Sequence, residues 1–360
     1  MNLPVIYSAV LLAAFIVSVI LTAIVKKAAV RLNFLAHPRL DRFHKSVIPL
    51  GGGIAIFATI ALFCIGAIVL IKISPAYTDN IHLKNFAGKT NELLVIIACS
   101  AVLFGLGLWD DIKNLSPGVK LFVQFAAAFV AAYFADVRVE LFIESKIITS
   151  ILSAFWVVLI INVFNFLDNM DGASAGIAFI VTIILFFAAA MSGQFFVAGF
   201  ALVFAGATAG FLVFNFFPAS IFMGDAGSLV IGFFVAMITL RTTYYQSGQT
   251  NGWYVVLMPL IIMALPLYDF ITVTALRIRQ GKSPFIGDTQ HFSHRLKKRG
   301  LTEVQTVLTL YLATLATGLG AIILKIVNSI FGLLAFIQVV LVLAIIAILE
   351  STGKDIEKQQ

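Results

Sequence analysis

The chain is 360 residues long, 61% hydrophobic and only 11% charged, with a mean hydropathy of +1.05, against roughly 45–50% apolar and about 25% charged in soluble domains. That excludes a soluble globular protein: a bilayer core of roughly 30 Å takes about 20 apolar residues per helical crossing, so this length holds on the order of ten crossings with short loops. The net charge of +7 is read as membrane topology, not as a nucleic-acid footprint, and no nucleic-acid partner is expected.

Apolar runs broken by polar clusters predict crossings near 3–25, 51–72, 92–108, 119–135, 147–164, 173–191, 195–214, 227–243, 253–276, 304–324 and 330–349, eleven in all, or ten without the weakest, the last. The expected fold is therefore an all-α polytopic membrane protein. Residues 1–350 read as a single transmembrane domain and 351–360 as a short tail. No basic segment precedes the first run and no small-residue cleavage site stands out, so that run reads as a retained helix. Cys64 and Cys99 both fall inside apolar runs, where a thiol is a small hydrophobe, and they make no disulfide framework. No internal repeat and no low-complexity tract is found.

Counting loops alternately sorts the 24 Lys and Arg residues into seventeen on one side and seven on the other. The positive-inside rule makes the richer side cytoplasmic, with the N-terminus outside and the tail inside. Five polar segments, 26–50, 109–120, 165–172, 215–226 and 277–303, are each separated by two crossings, so parity predicts that all five meet on the cytoplasmic face.

In chain order these segments carry the chemistry. Trp109-Asp110-Asp111 ends the third crossing, Asp168 and Asp171 follow the fifth, and Asp225 precedes the eighth. Any one of them could be a solvated helix end or an N-cap. Carboxylates near a membrane are costly, though, and five converging from three loops need a reason. Acidic groups with a basic loop opposite suit a Mg²⁺-bridged diphosphate. Gly224-Asp225-Ala226-Gly227-Ser228 offers backbone N–H groups at a helix start, which suits phosphate. Asn165 and Asn215 stand at helix ends as ligand contacts or as interhelical bonds. The last loop holds His291 and His294 with Arg295, Lys297, Lys298 and Arg299, a cationic lid over the acidic floor. The H-x-x-H spacing alone lacks the third ligand that a transition-metal site needs.

These residues resemble the MraY/WecA-like polyprenyl-phosphate N-acetylhexosamine-1-phosphate transferases. The resemblance rests on Arg42-Phe43-His44-Lys45 with Pro49 to Gly53; Trp109-Asp110-Asp111 with Lys120 to Gln124; Asn165 to Gly172 (NFLDNMDG); Phe214 to Ala219 with Phe222 to Ser228 (FMGDAGS); and Asp288 to His294 (DTQHFSH). It implies transfer of a sugar-1-phosphate from a UDP-sugar to undecaprenyl phosphate, with release of UMP, at the cytoplasmic face of a bacterial inner membrane. Such a step initiates a lipid-linked cell-envelope glycan, as in lipopolysaccharide or teichoic acid biosynthesis.

Carried over by position, the resemblance makes Asp225 the Mg²⁺ ligand and Asp110 the residue that assists the attacking lipid phosphate. Asp111 and Lys120 would orient phosphates, and Asp168, Asn165 and Asn215 would complete the polar floor. Asp171 and Phe222 would hold uracil, while His44, Lys45 and the loop of His291 and His294 would close over the nucleotide-sugar. Mn²⁺ suits the same oxygen ligands, and a homodimer is compatible with the sequence.

The histidine loop is closer to the H-x-H-H pattern of the UDP-GlcNAc branch than to the P-F-H-H-H pattern of the muramoyl-pentapeptide branch, with Ser293 in place of one histidine. The alternatives are the phospho-MurNAc-pentapeptide reaction and, from other classes, a transporter or flippase for a lipid-linked sugar or an inactive scaffold. A transporter would favour midplane charges within repeated halves, and neither is found.

Overall fold

A backbone in lipid must satisfy its own N–H and C=O groups, which for apolar stretches of this length means helices. The computed structural model describes residues 3–36, 47–73, 87–139, 143–242, 244, 253–283, 291–325 and 329–351. Its helices are α1 (Leu3–Arg31), α2 (Gly52–Ile73), α3 (Thr90–Lys113), α4 (Pro117–Phe134), α5 (Lys146–Leu167), α6 (Ala173–Met191), α7 (Phe195–Asn215) and α8 (Asp225–Arg241). A 3₁₀ helix (Trp253–Leu257) follows, then α9 (Met258–Ile262), α10 (Ala264–Arg279), α11 (Phe292–Lys298), α12 (Glu303–Leu324) and α13 (Ser329–Ser351). Among the described residues nine helices are long and apolar enough to cross a membrane, and a bent pair brings the number to ten.

The eleventh expected span is α8. At 17 residues it is about 25 Å long, and Ala226 through Thr239 are all buried. It is the hub of the bundle, packed against α2, α3, α5, α6 and α7. A helix surrounded by other helices needs no polar face, and this one has none.

The expected single crossing at 253–276 is instead a broken one: Tyr254–Ile262 and Ala264–Arg279 meet at 65°. Pro266 has no N–H to offer the carbonyl of Ile262, which ends α9 and lets α10 set off in a new direction.

Close helix contacts use small residues. Ala14 and Ser18 of α1 face Gly206 and Gly210 of α7, and the Ser18 hydroxyl donates to the Ala207 carbonyl at 2.6 Å. At the other contact, Gly53 of α2 and Gly107 of α3 lie directly on the backbone of α8 at Ala226 and Gly227. The only strand pairing among the described residues is a two-residue antiparallel ladder, Leu35–Ala36 with Ile48–Pro49, extended by a parallel bridge between Leu50 and Phe222.

Candidate active site

α3 ends at Lys113, Asn114 takes a left-handed conformation, and Pro117 starts α4 in the first helical turn, where its missing N–H costs nothing. This tight corner brings Lys120, one turn into α4, back over the end of α3. Its Nζ donates to Asp110 Oδ2 at 2.6 Å and lies 3.5 Å from Asp225 Oδ2. Asp110 is buried and also accepts the Leu115 amide at 2.6 Å. Two carboxylates thus face one ammonium, the kind of arrangement in which charges are retained near a membrane only when paired. From α5, the Asn165 amide donates to Asp225 Oδ1 at 3.2 Å and to the Ser228 hydroxyl at 2.8 Å.

Asp111 does something different. Its carboxylate accepts the amides of Asp225 at 2.8 Å and Ala226 at 3.2 Å, capping α8 from a neighbouring helix and complementing its dipole. The backbone N–H groups expected to cradle phosphate are the ones Asp111 engages. Gly224 is required here: it has φ +73, and a Cβ on it would stand 2.5 Å from the Asp111 carboxylate.

A second group lies around the turn after α5. Asp168 is the C-cap of α5, and Asp171 Oδ2 accepts the Ala219 amide at 2.8 Å. Asn215 accepts the Gly172 amide at 3.1 Å and donates to the Ile221 carbonyl at 3.0 Å, so its side chain ties two loops together. Phe222 is 7% exposed and packs with Ile48, Leu50 and Ala219. In this structure its ring is part of a small apolar cluster, not a free stacking platform.

The third group is the histidine loop. His291 Nδ1 lies 3.2 Å from Asp269 Oδ2, and its ring meets Phe166 edge-on at 5.6 Å. The Ser293 hydroxyl donates to Asn169 Oδ1 at 2.8 Å, which docks the loop on the turn that carries Asp168 and Asp171. His294 is buried, and its pKa is lowered from 6.5 to about 4, first by burial and then by the charges of His291 and Lys298. It is a neutral imidazole at physiological pH. The expected cationic lid is correspondingly weaker: Arg295 pairs with Glu350 at 3.1 Å and Arg299 donates to the Glu350 carbonyl at 2.7 Å, both on α13, while Lys297 pairs with Glu303 of α12.

The described parts of all five segments therefore meet at one end of the bundle. Asp110, Asp111, Lys120, Asn165 and Asp225 form one cluster. Asp171 and Asn215 brace the adjoining loops, Asp168 caps α5 on the same turn, and the histidine loop docks through His291 on Phe166 and Ser293 on Asn169. His44 and Lys45, and residues 288–290 of the histidine motif, lie outside the described residues. Among the described residues no three His, Cys, Asp or Glu side chains are placed to cage a metal ion. Asp269 was not among the expected site residues. The signal for it is its position inside the apolar run 253–276, where an ionisable residue marks a site by default.

The match to the Glycosyl transferase family 4 description covers residues 93–243, from before Asp110 to beyond Asp225. The probable undecaprenyl-phosphate N-acetylglucosaminyl 1-phosphate transferase of Bacillus subtilis (strain 168) is 30% identical over 96% of this chain and 93% of its own length. The decaprenyl-phosphate N-acetylglucosaminephosphotransferase of Mycobacterium tuberculosis is 31% identical over 84% of this chain and 78% of its own. The undecaprenyl-phosphate alpha-N-acetylglucosaminyl 1-phosphate transferase of Yersinia pestis is 27% identical over 86% and 81%. With a relative 30% identical over nearly the whole of both chains, the protein belongs to the polyprenyl-phosphate N-acetylhexosamine-1-phosphate transferase family.

Proposed function

We propose that this protein transfers N-acetylglucosamine 1-phosphate from UDP-GlcNAc to undecaprenyl phosphate on the cytoplasmic face of the membrane, with Mg²⁺. The observation that carries the reading is the pair of carboxylates, Asp110 and Asp225, held from α3 and α8 on either side of the Lys120 ammonium. The relatives' names support the sugar and the lipid acceptor. The Lys and Arg asymmetry between loops supports the cytoplasmic side.

In this reaction an oxygen of the lipid phosphate attacks the β-phosphorus of the UDP-sugar. The bond from that phosphorus to the bridging oxygen breaks, and UMP leaves with the electron pair. The acceptor's second pKa is about 6, so at pH 7 it is largely dianionic and needs no strong base. Direct attack is accordingly favoured over an aspartyl-phosphate. What the reaction needs is alignment of anions and neutralised charge. Lys120 supplies one positive charge, and its bond to Asp110 keeps that charge at the end of α4. Asp225, pinned at Oδ1 by Asn165 and at its backbone amide by Asp111, presents carboxylate oxygen of the kind Mg²⁺ takes, one or two carboxylates beside phosphate oxygens. Asp225 would hold that ion, which when bound withdraws charge from the diphosphate, while Asp110, its oxygens taken by Lys120 and the Leu115 amide, would assist the lipid phosphate through Lys120. His294, neutral, serves as a hydrogen-bonding group, and Asp171 is the residue assigned to uracil, since Phe222, packed in its apolar cluster, offers no stacking face.

The test is UMP release by purified protein with Mg²⁺, undecaprenyl phosphate and either UDP-GlcNAc or UDP-MurNAc-pentapeptide. UMP should come from UDP-GlcNAc alone and fall by about a hundredfold or more in Asp225→Asn, the order of effect seen when a group that stabilises transition-state charge is removed. UMP only from the pentapeptide substrate overturns the choice of sugar. Full activity in Asp225→Asn overturns the role of that residue.

A further inference from the structure

Asp269 is 2% exposed on α10, inside the bent pair of helices that passes through the membrane-spanning bundle. A carboxylate there is costly unless its oxygens are satisfied. Both are used, and both on the same short segment. Oδ2 meets His291 Nδ1 at 3.2 Å and Oδ1 accepts the Phe292 amide at 2.6 Å. His291 is the N-cap residue of α11, so one side chain holds the imidazole and the start of the helix that follows it.

The other side of the ring is fixed as well. Phe166 meets His291 edge-on, Phe270 packs against Phe166 at 5.0 Å, and the buried Arg277 guanidinium lies 4.9 Å over the Phe166 ring. Phe166 follows Asn165, which bonds Asp225. A histidine locked by a carboxylate thus packs on the residue next in sequence to Asn165, a member of the acidic cluster.

We infer that Asp269 is a positioning residue for the transfer reaction, acting through His291: its carboxylate makes Nδ1 the protonated nitrogen and leaves Nε2 as the unprotonated one. The inference rests on the phosphotransferase reading of the site. A carboxylate only accepts, so the nitrogen facing it must donate, and the tautomer is set. An asparagine at the same position has one acceptor and one donor side. If its oxygen keeps the Phe292 amide, its NH₂ faces Nδ1, and the ring must turn to the Nε2–H tautomer.

The experiment uses the whole protein in detergent with ¹⁵N-labelled histidine, tractable because the chain has only five histidines, and His291→Ala assigns the resonance. The wild type should show the Nδ1–H pattern, Asp269→Asn the Nε2–H pattern, and Asp269→Glu the wild-type pattern. With UDP-GlcNAc, kcat should fall about 10- to 100-fold in Asp269→Asn, the range typical of residues that orient a working imidazole, while KM moves less than about threefold. Asp269→Glu should recover part of the rate. In a His291→Ala background, Asp269→Asn should cost nothing further, because the residue acts through the missing ring.

An unchanged tautomer in a folded Asp269→Asn protein overturns the inference. So does an undiminished loss of rate when His291 is already absent. A wild-type protein that shows the locked tautomer but releases no UMP from any UDP-sugar overturns the phosphotransferase reading instead, so the two failures are told apart.

Discussion

Two aspartates that are neighbours in sequence, Asp110 and Asp111, have separate work because a helix turns 100° per residue. Asp110 points at Lys120, and Asp111 points at the amides of α8. Their presence as a pair was legible in the sequence; the division of labour was not, since it depends on where α8 starts. His294 shows a similar limit. Its place in the loop was legible, yet its burial on the inner side of α11 makes it neutral, contrary to the cation the motif implied. That has a pH consequence. Unfolded, the ring takes up a proton near 6.5, and folded only near 4. Between those values the unfolded chain binds more protons, so stability falls as pH is lowered through the window. The unfolding midpoint of the wild type in detergent should drop between pH 7 and pH 5, and that of His294→Gln should drop less. Equal drops would show that His294 is not the group responsible.

At the scale of the helices, most of the fold was legible because hydropathy reports crossings directly. The exceptions have physical causes. The run 253–276 looks continuous by composition, and the break in it comes from backbone hydrogen bonding at Pro266. Asp269 was hidden by the same run, its charge diluted by apolar neighbours. Contacts between helices were also illegible, since a glycine in a membrane helix reads the same whether it faces lipid or another backbone. Gly105 and Gly107 of α3 make the contrast. A Cβ at Gly107 would stand 2.5 Å from the backbone of Asp225 and Ala226, whereas one at Gly105 would meet nothing within 4 Å. Gly107→Ala should push α8 away, displace Asp225, and lower activity more than about tenfold, the order of loss that follows from misplacing catalytic groups by about an ångström. Gly105→Ala should leave activity intact and raise stability by about 0.5–1 kcal/mol. Unfolding midpoints and UMP release on the two variants decide this; equal tolerance would mean α3 and α8 are not in register through Gly107.

Across the whole molecule, the arrangement depends on even spacing. Segments two crossings apart return to the same end of a bundle, so motifs far apart in sequence assemble one polar site while the opposite end carries unrelated pairs such as Arg241 with Glu92. That convergence was legible from loop parity alone. Which atoms face which within it required the central position of α8, whose N-terminus carries Asp225 and whose neighbours α3 and α5 bring Asp111 and Asn165 to it.

A site of this kind moves a phosphosugar and not a bare sugar. Those alternatives differ in which bond breaks. Transfer of GlcNAc-1-phosphate carries the β-phosphorus into the lipid and frees UMP; glycosyl transfer leaves it in UDP. The direct measurement is the fate of the label when UDP-GlcNAc carrying ³²P at the β-position is incubated with the protein, Mg²⁺ and undecaprenyl phosphate. The label should appear in the organic phase as a lipid-linked diphosphate, in step with UMP, and should stay in water with Asp225→Asn. Label retained in UDP while unlabelled sugar enters the lipid would contradict the account.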